Sequence, residues 1–240
     1  MGSKSRVAKY IVPIIQKYID DSNASLYIEP FAGGMNIIDK VKCDIRYASD
    51  INKYLIGLFK HITADLSLPD EVSREIYNDV RTNKDNGKYE DWYVGAIGFL
   101  ASYNGRYFDG GYAQAGYEKT KTGERYRDYY QESKRNILSQ VPNLKGVEFG
   151  HKSYTEFYPV NAVVYCDPPY QGVKQYANSL NFDYDEFWDT MRDWSQRSIV
   201  LISEENAPDD FKCIWQQEVS RSIKATDKSK SVEKLFTYKN

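Results

Sequence analysis

The sequence predicts an α/β protein: a parallel-rich sheet, covered by helices on both faces and interrupted by a helical insertion. Three observations predict it. Short apolar runs at 26–28, 45–49, 162–166 and 198–203 alternate with helical patterns toward both ends of the chain. Two of these runs, 26–28 and 162–166, stop abruptly at clusters of Gly or Pro, as strands do where a sheet edge opens into ligand-binding loops. From about Pro69 to Ser139 the texture changes to helical patterns around a loop rich in Gly, Tyr and charge, with no convincing strand pair.

Taken in order, Val7, Tyr10, Ile11, Ile14, Ile15 and Tyr18 fall at helical spacing. They give an amphipathic helix over 4–20, capped by Ser3 and weakened by Pro13. The run 26–28 is a strand that stops at Glu29-Pro30-Phe31-Ala32-Gly33-Gly34; a helix over 35–41 then opens a β-α-β unit. Residues 45–49 form a second strand ending at Asp50, followed by a helix over 55–62. Helices over 70–81, 89–102 and 124–138 bracket the loop at 103–123. After Pro142, strands at 146–149, 162–166 and 198–203 resume with a helix over 184–194, and runs near 212–219 and 232–238 form a closing hairpin. The organisation is a core of 1–66 and 139–240 with an insertion of 67–138.

The 240 residues are 28% charged and 41% hydrophobic, a soluble globular balance. No apolar run approaches the roughly 18 residues of a membrane span, and the opening MGSKSRVAKYIVPIIQ has no signal-peptide core, so a cytoplasmic protein is expected. Cys43, Cys166 and Cys213 are scattered and odd in number, which argues against a disulfide framework. With only His61 and His151, no metal site is expected. The net charge of −2 conceals basic ends: Lys4, Arg6, Lys9 and Lys17 without an acid, then Arg221, Lys224, Lys228, Lys230, Lys234 and Lys239 against Asp227 and Glu233. A local basic face suits a nucleic-acid partner whatever the total, although ordinary solvated lysines give the same pattern.

Three strand ends carry candidate chemistry. The glycine loop at 29–34 lacks the GxGxxG spacing that admits a pyrophosphate, and suits a cofactor with an adenosine and no phosphate. Asp50, at the next strand end, is placed to accept hydrogen bonds from ribose hydroxyls. A plain tight turn and a helix N-cap remain alternatives for these two. Asp167-Pro168-Pro169-Tyr170 ends a buried-type strand, leaving a carboxylate, carbonyls without competing prolyl N–H groups, and an aromatic ring at the sheet edge. An aromatic amine is a poor nucleophile because its lone pair is delocalised into the ring. Two acceptors aimed at its N–H groups favour a pyramidal nitrogen and stabilise the charge that grows as it attacks. Asp167 and the Pro168 carbonyl supply such a pair, with Tyr170 stacking on the base.

These segments, Glu-Pro-Phe-Ala-Gly-Gly at 29–34, Asp50 and Asp-Pro-Pro-Tyr at 167–170, together resemble the motifs of the Dam-like (D12 class) DNA adenine-N6 methyltransferases, in the family's order and with an insertion between them. Gly2-Ser3-Lys4 is similar to the Gly-Gly-Lys stretch that opens the family's cofactor-covering helix. The resemblance implies a Rossmann-like S-adenosylmethionine-dependent sheet and methyl transfer to N6 of an adenine flipped out of duplex DNA. It implies Asp167, Pro168 and Tyr170 as catalytic residues, and Phe31, Gly33, Asp50 and Asp167 at the cofactor, with Lys4 near its methionine moiety. It also implies a helical target-recognition insertion. There Tyr103-Asn104-Gly105-Arg106 resembles the family's target-facing Tyr-Asn-Gly segment, making Tyr103, Asn104 and Arg106 candidate substrate contacts. Gly110-Gly111 then marks a mobile loop, and 112–123 does not match the recognition hairpin of the GATC-specific members.

Arg125, Arg127, Lys134 and Arg135 are interleaved with acids and read equally as phosphate contacts or helix-surface pairs. Cytosine-C5 chemistry is set aside because no cysteine follows a proline, and Cys166 reads as a core strand residue. Ser203-Glu204-Glu205-Asn206 follows a strand end without an assigned role. A monomer on duplex DNA is expected. The alternatives are an RNA or protein N-methyltransferase using the same tetrapeptide, and an inactive DNA-binding relative.

Overall fold

The apolar spacing of the first twenty residues becomes a helix that survives its proline. Pro13 lies on the exposed side, while Ile11, Ile15 and Ile19 are buried and hold the helix through the lost hydrogen bond. Asn23, in the left-handed region, ends it. The computed structural model describes residues 4–120, 123–170, 182–220 and 230–239. Gly2, the expected cap Ser3, and the basic Arg221, Lys224 and Lys228 lie outside them.

The elements are α1 (Ala8–Ser22), β1 (Leu26–Glu29), β2 (Ile45–Asp50), α2 (Lys53–Thr63), α3 (Arg74–Asn83), α4 (Asp91–Leu100), β3 (Gly116–Thr120), β4 (Gly123–Arg127), α5 (Tyr129–Leu138), α6 (Val141–Leu144), β5 (Val147–His151), β6 (Ala162–Cys166), α7 (Tyr184–Ser195), β7 (Ile199–Glu204), β8 (Phe211–Ser220) and β9 (Lys230–Tyr238). They divide into two compact units. One contains Gly33–Met35 and Asp50–His151; the other contains Lys4–Ala32, Asn36–Ser49 and Lys152–Asn240.

In the second of these units the strands run in the order β2–β1–β6–β7–β9–β8. The pairs β2–β1, β1–β6 and β6–β7 are parallel, and β9 joins β7 and β8 antiparallel as the closing hairpin. The strand order reverses at β1, whose neighbours are β2 on one side and β6 on the other. In a sheet of this kind ligands bind beyond the carboxyl ends at such a reversal. One face buries Ile28, Val164, Cys166, Val200, Ile202 and Phe236 against Phe187, Trp188, Met191 and Trp194 of α7. The alternate residues Tyr27, Val163, Tyr165 and Leu201 are buried on the opposite face, where α1 meets β6.

In the other unit α2 packs along α4, and Phe59 of α2 stacks on Phe149 of β5 at 6.3 Å. The side chain of Asn52 caps α2, accepting from the N–H groups of Tyr54 (3.0 Å) and Leu55 (3.2 Å).

Three expectations are corrected. Residues 35–41 form turns, not a helix. Their apolar side chains Met35, Ile37, Ile38 and Val41 are buried without one, and Met35 at φ 57° takes the chain out of the right-handed helical region at the point where the helix would start. The insertion does contain a strand pair, the antiparallel β3–β4 hairpin, and α5 accordingly starts only at Tyr129 behind an Asp128 cap. Gly110-Gly111 lies in a hydrogen-bonded turn, described below. No helix among the described residues is long and apolar enough to cross a membrane.

Candidate active site

The buried strand β6 delivers Asp167 to the sheet edge, where two prolines end the ladder. Lys4, in a single 3-10 turn ahead of α1, reaches across to it. Its Nζ lies 3.2 Å from Asp167 Oδ1 and 2.8 Å from Glu233 Oε2 of β9, with the three side chains 12–21% exposed. The same ammonium donates to the Tyr170 hydroxyl and sits 4.4 Å from its ring centroid. Tyr170 in turn donates to Glu233 Oε2 at 2.9 Å. Burial pulls the Lys4 ammonium down, but Asp167 and Glu233 together outweigh it and hold it above its ordinary value. Burial pushes the Asp167 carboxyl up, and the Lys4 charge offsets only part of the rise. Burial, then the two carboxylates, raise the Tyr170 phenol well above its usual range. The cluster therefore holds a charged lysine against two acids and keeps the tyrosine as a neutral donor.

At the end of β1, beside β6, stands a third acid. Glu29 is 2% exposed, and the buried Tyr27 hydroxyl donates to its Oε1 at 2.6 Å. Burial raises its pKa from the ordinary 4.5 to about 8, the Tyr27 bond counteracting and the Asp167 charge adding. One strand further, the buried Tyr165 and Ser203 hydroxyls pair at 2.8 Å. The segment 203–206 thus ends β7, next to β6, with Glu204 buried. Phe31 turns into an aromatic group, with ring centroids 5.2 Å from Tyr154, 5.9 Å from Phe187 and 6.0 Å from Phe182.

In the other unit, Gly33 and Asp50 are joined directly. Gly33 adopts φ +47°, and its N–H donates to Asp50 Oδ2 at 3.1 Å while Asn52 N–H donates to Oδ1 at 2.9 Å. Asp50 is therefore not the cap of α2, which is Asn52. Each carboxylate oxygen spends one lone-pair site on the backbone and keeps another for a hydroxyl. Burial pushes this carboxyl up against the pull of the two N–H bonds.

Tyr103, Asn104 and Arg106 lie on an exposed loop of that unit. Ser102 Oγ is its anchor: 3% exposed, it pairs with the Tyr77 hydroxyl at 2.9 Å and accepts from Phe108 N–H at 3.0 Å. Asn104 at φ 55° makes the sharp bend. Tyr103 N–H donates to Gly111 O at 3.0 Å, and a Cβ on Gly110 would fall 2.3 Å from Tyr103 O, so only glycine closes this turn. The glycines expected to loosen the loop thus permit its closure. Arg125, Arg127 and Lys134 are engaged in pairs: Arg125 with Glu132 (3.3 Å), Arg127 with Glu132 (2.9 Å) and Glu118 (3.3 Å), Lys134 with Asp70 (3.2 Å). Arg135 is exposed.

The structure brings the sequence-predicted Lys4, Asp167 and Tyr170 together; Glu233 is not among the expected site residues, and Glu29 stands in the 29–34 motif without a role of its own. For Glu233 a signal existed: it is one of two acids in an otherwise basic terminal stretch. No group of three metal-ligating side chains occurs among the described residues.

A family model described as D12 class N6 adenine-specific DNA methyltransferase matches residues 1–204. The Type II methyltransferase M.MjaIII of Methanocaldococcus jannaschii is 23% identical over 216 residues, 78% of this chain and 73% of that protein. Among solved structures, the rRNA methyltransferase aviRa from Streptomyces viridochromogenes is similar at a TM-score of 0.42 and 8% identity, over 98% of this chain and 84% of that one.

Proposed function

Because the chain belongs to the D12 class N6 adenine-specific DNA methyltransferase family, we propose that it methylates N6 of an adenine flipped out of duplex DNA, with S-adenosylmethionine as donor. The observation that carries this is the Lys4–Asp167–Glu233–Tyr170 cluster at the carboxyl end of β6, beside the reversal of strand order. When bound, the cofactor supplies an electrophilic methyl on a cationic sulfur. The donor set fits it. Each unit by itself offers groups of the right chemistry: in one, Asp50 retains lone-pair sites for ribose hydroxyls beside the Gly33 turn, and in the other, Lys4 stands between two acids, Asp167 and Glu233, suited to face a cation.

Asp167 accepts one N–H of the target amine and the Pro168 carbonyl accepts the other, drawing the lone pair out of conjugation with the ring. Lys4, on Oδ1, orients the carboxylate and leaves Oδ2 for the amine. Tyr170 packs on the base and is itself fixed by Lys4 and Glu233. The proton released by the methylated amine leaves to solvent.

In this reading 1–66 and 139–240 form the catalytic core and 67–138 the target-recognition insertion, where Tyr103, Asn104 and Arg106 approach the bases from a loop braced by Ser102. The enzyme acts as a monomer in the cytoplasm, and the Type II relative suggests a restriction–modification setting. The test is to incubate the protein with tritiated S-adenosylmethionine and unmethylated plasmid DNA or ribosomal RNA, then resolve the nucleosides. Tritium in N6-methyladenine from DNA is expected; tritium in RNA alone rejects the proposal.

A further inference from the structure

The geometry points to Tyr184 as a positioning residue for Tyr170: its hydroxyl holds the Pro169 carbonyl and fixes ψ of Pro169, the torsion leading into Tyr170 that the prolines leave free. The inference rests on the methyl-transfer reading of the Asp-Pro-Pro-Tyr segment. Pro168 and Pro169 have φ locked near −65° by their rings. Asp167 and Pro168 each precede a proline, which confines their ψ to the extended region. Pro169 precedes a tyrosine, so its ψ has no such restraint. That torsion sets both the direction of the Pro169 carbonyl and the position from which the Tyr170 ring departs.

Tyr184 Oη donates to this carbonyl at 3.0 Å. The donor is itself firmly placed. Tyr184 is the first residue of α7, whose cap Asp183 accepts from Glu186 N–H at 2.9 Å. Its ring meets that of Phe182 at 5.0 Å, and Phe182 packs on Phe187 (5.5 Å), Tyr154 (5.7 Å) and Phe31 (6.0 Å). Phe187 is fully buried in the sheet core. A continuous aromatic group therefore runs from the loop after β1 to the backbone of the catalytic segment, ending in one hydroxyl. At the far end of that backbone, the Tyr170 ring lies under Lys4 and its hydroxyl joins Glu233. Freed from Tyr184, Pro169 samples other ψ values and carries Tyr170 out of register with these partners and with the target base.

Tyr184→Phe keeps the ring and removes only the hydroxyl. Initial rates of tritium transfer to saturating unmethylated plasmid DNA are expected to fall three- to tenfold, as for loss of one neutral hydrogen bond. The S-adenosylmethionine Kd from calorimetry stays within twofold of the unsubstituted protein. A merely structural role is separated by a double-mutant cycle with Tyr170→Leu: the Tyr184→Phe loss disappears in that background, because nothing remains for it to position. An unchanged rate for Tyr184→Phe, or an equal loss in both backgrounds, overturns the inference while leaving the methyl-transfer reading intact. No tritium transfer by the unsubstituted protein removes both.

Discussion

Replacing Glu29 with glutamine should make the protein more stable, by an amount that grows with pH. Glu29 is 2% exposed at the end of β1, accepting a hydrogen bond from Tyr27. Its carboxyl titrates near 8 in the folded protein against an ordinary value of 4.5. A carboxyl with a raised folded pKa binds its proton more tightly in the folded state, so the stability it confers is complete at acid pH and declines as pH rises between those two values. With one pKa unit equal to about 1.36 kcal/mol, the loss from this residue is about 1 kcal/mol at pH 5 and about 4 kcal/mol at pH 8. Glutamine has the shape of the protonated acid, keeps an acceptor for Tyr27 and does not titrate. The facing groups Asp167, Asp39, Lys40 and Tyr27 are common to both proteins, so their titration largely cancels in the difference. The stability advantage of Glu29→Gln should therefore widen by about 3 kcal/mol from pH 5 to pH 8. At the 2–4 °C per kcal/mol typical of chains this size, the gap in Tm widens by roughly 6–12 °C. Thermal unfolding of the two proteins at pH 5, 6, 7 and 8 measures it. A gap constant across that range refutes the assignment of Glu29 as a buried, largely neutral acid.

Three further outcomes are expected. Asp167→Ala should lower methyl transfer to DNA by about 10²-fold or more, as for loss of a group aimed at developing charge, while calorimetry still detects S-adenosylmethionine binding; a near-normal rate would remove Asp167 from the chemistry. Lys4→Met strips from Asp167 and Glu233 the cation that pairs with both among the described residues, costing about 3 kcal/mol in urea unfolding. It also removes the offset to burial at Asp167, so the acid limb of the rate–pH profile moves to higher pH; a limb that stays in place means Lys4 does not govern Asp167 ionisation. Ser102→Ala leaves the Phe108 N–H and the Tyr77 hydroxyl without their shared partner, costing about 1–3 kcal/mol. Plasmid DNA affinity should weaken while cofactor affinity holds, and equal weakening of both would show that the loop is not a separate recognition element.

What was legible in the sequence was what local chemistry dictates. The strand 162–166 is apolar throughout because both its faces are buried, and it ends where Asp167-Pro168-Pro169 forbids a ladder. The helix read over 184–194 differs from α7 by one residue, because its buried positions Phe187, Trp188, Met191 and Trp194 keep helical spacing. The hairpin β3–β4 was illegible for the opposite reason. Its cross-strand partners are Tyr117 with Tyr126, Glu118 with Arg125 and Lys119 with Glu124, so neither face carries an apolar row. The spacing of Met35, Ile38 and Val41 imitates a helix, yet tertiary burial of each side chain accounts for the same pattern in turns. Glu233 and Tyr184 join the site only through the folded sheet and the α7 start; their roles are not local properties of the segments that carry them.

The departures from local preference are not scattered. Among the described residues six non-glycine positions have positive φ, and four of them, Asn23, Asp65, Asn104 and Asn161, are Asn or Asp, whose short side chains tolerate that conformation. The other two are Met35 at φ 57° and Phe108 at φ 59°, side chains for which it costs about 1–3 kcal/mol. Met35 follows the Gly33-Gly34 turn, and Phe108 closes the loop that presents Tyr103, Asn104 and Arg106. Both are buried, so the packing that holds them also over-determines the loops on either side. Glu29, a carboxyl kept largely neutral by burial two residues before Phe31, is a third local conflict in the same short list of segments. Strain and an unfavourable buried acid persist only where the surrounding structure enforces them, and here they fall on the cofactor loop and the recognition loop of the proposed mechanism. A fold selected for stability alone would place a glutamine at Glu29. Loops held in shape by their own packing suit the methyl transfer between two aligned ligands proposed above.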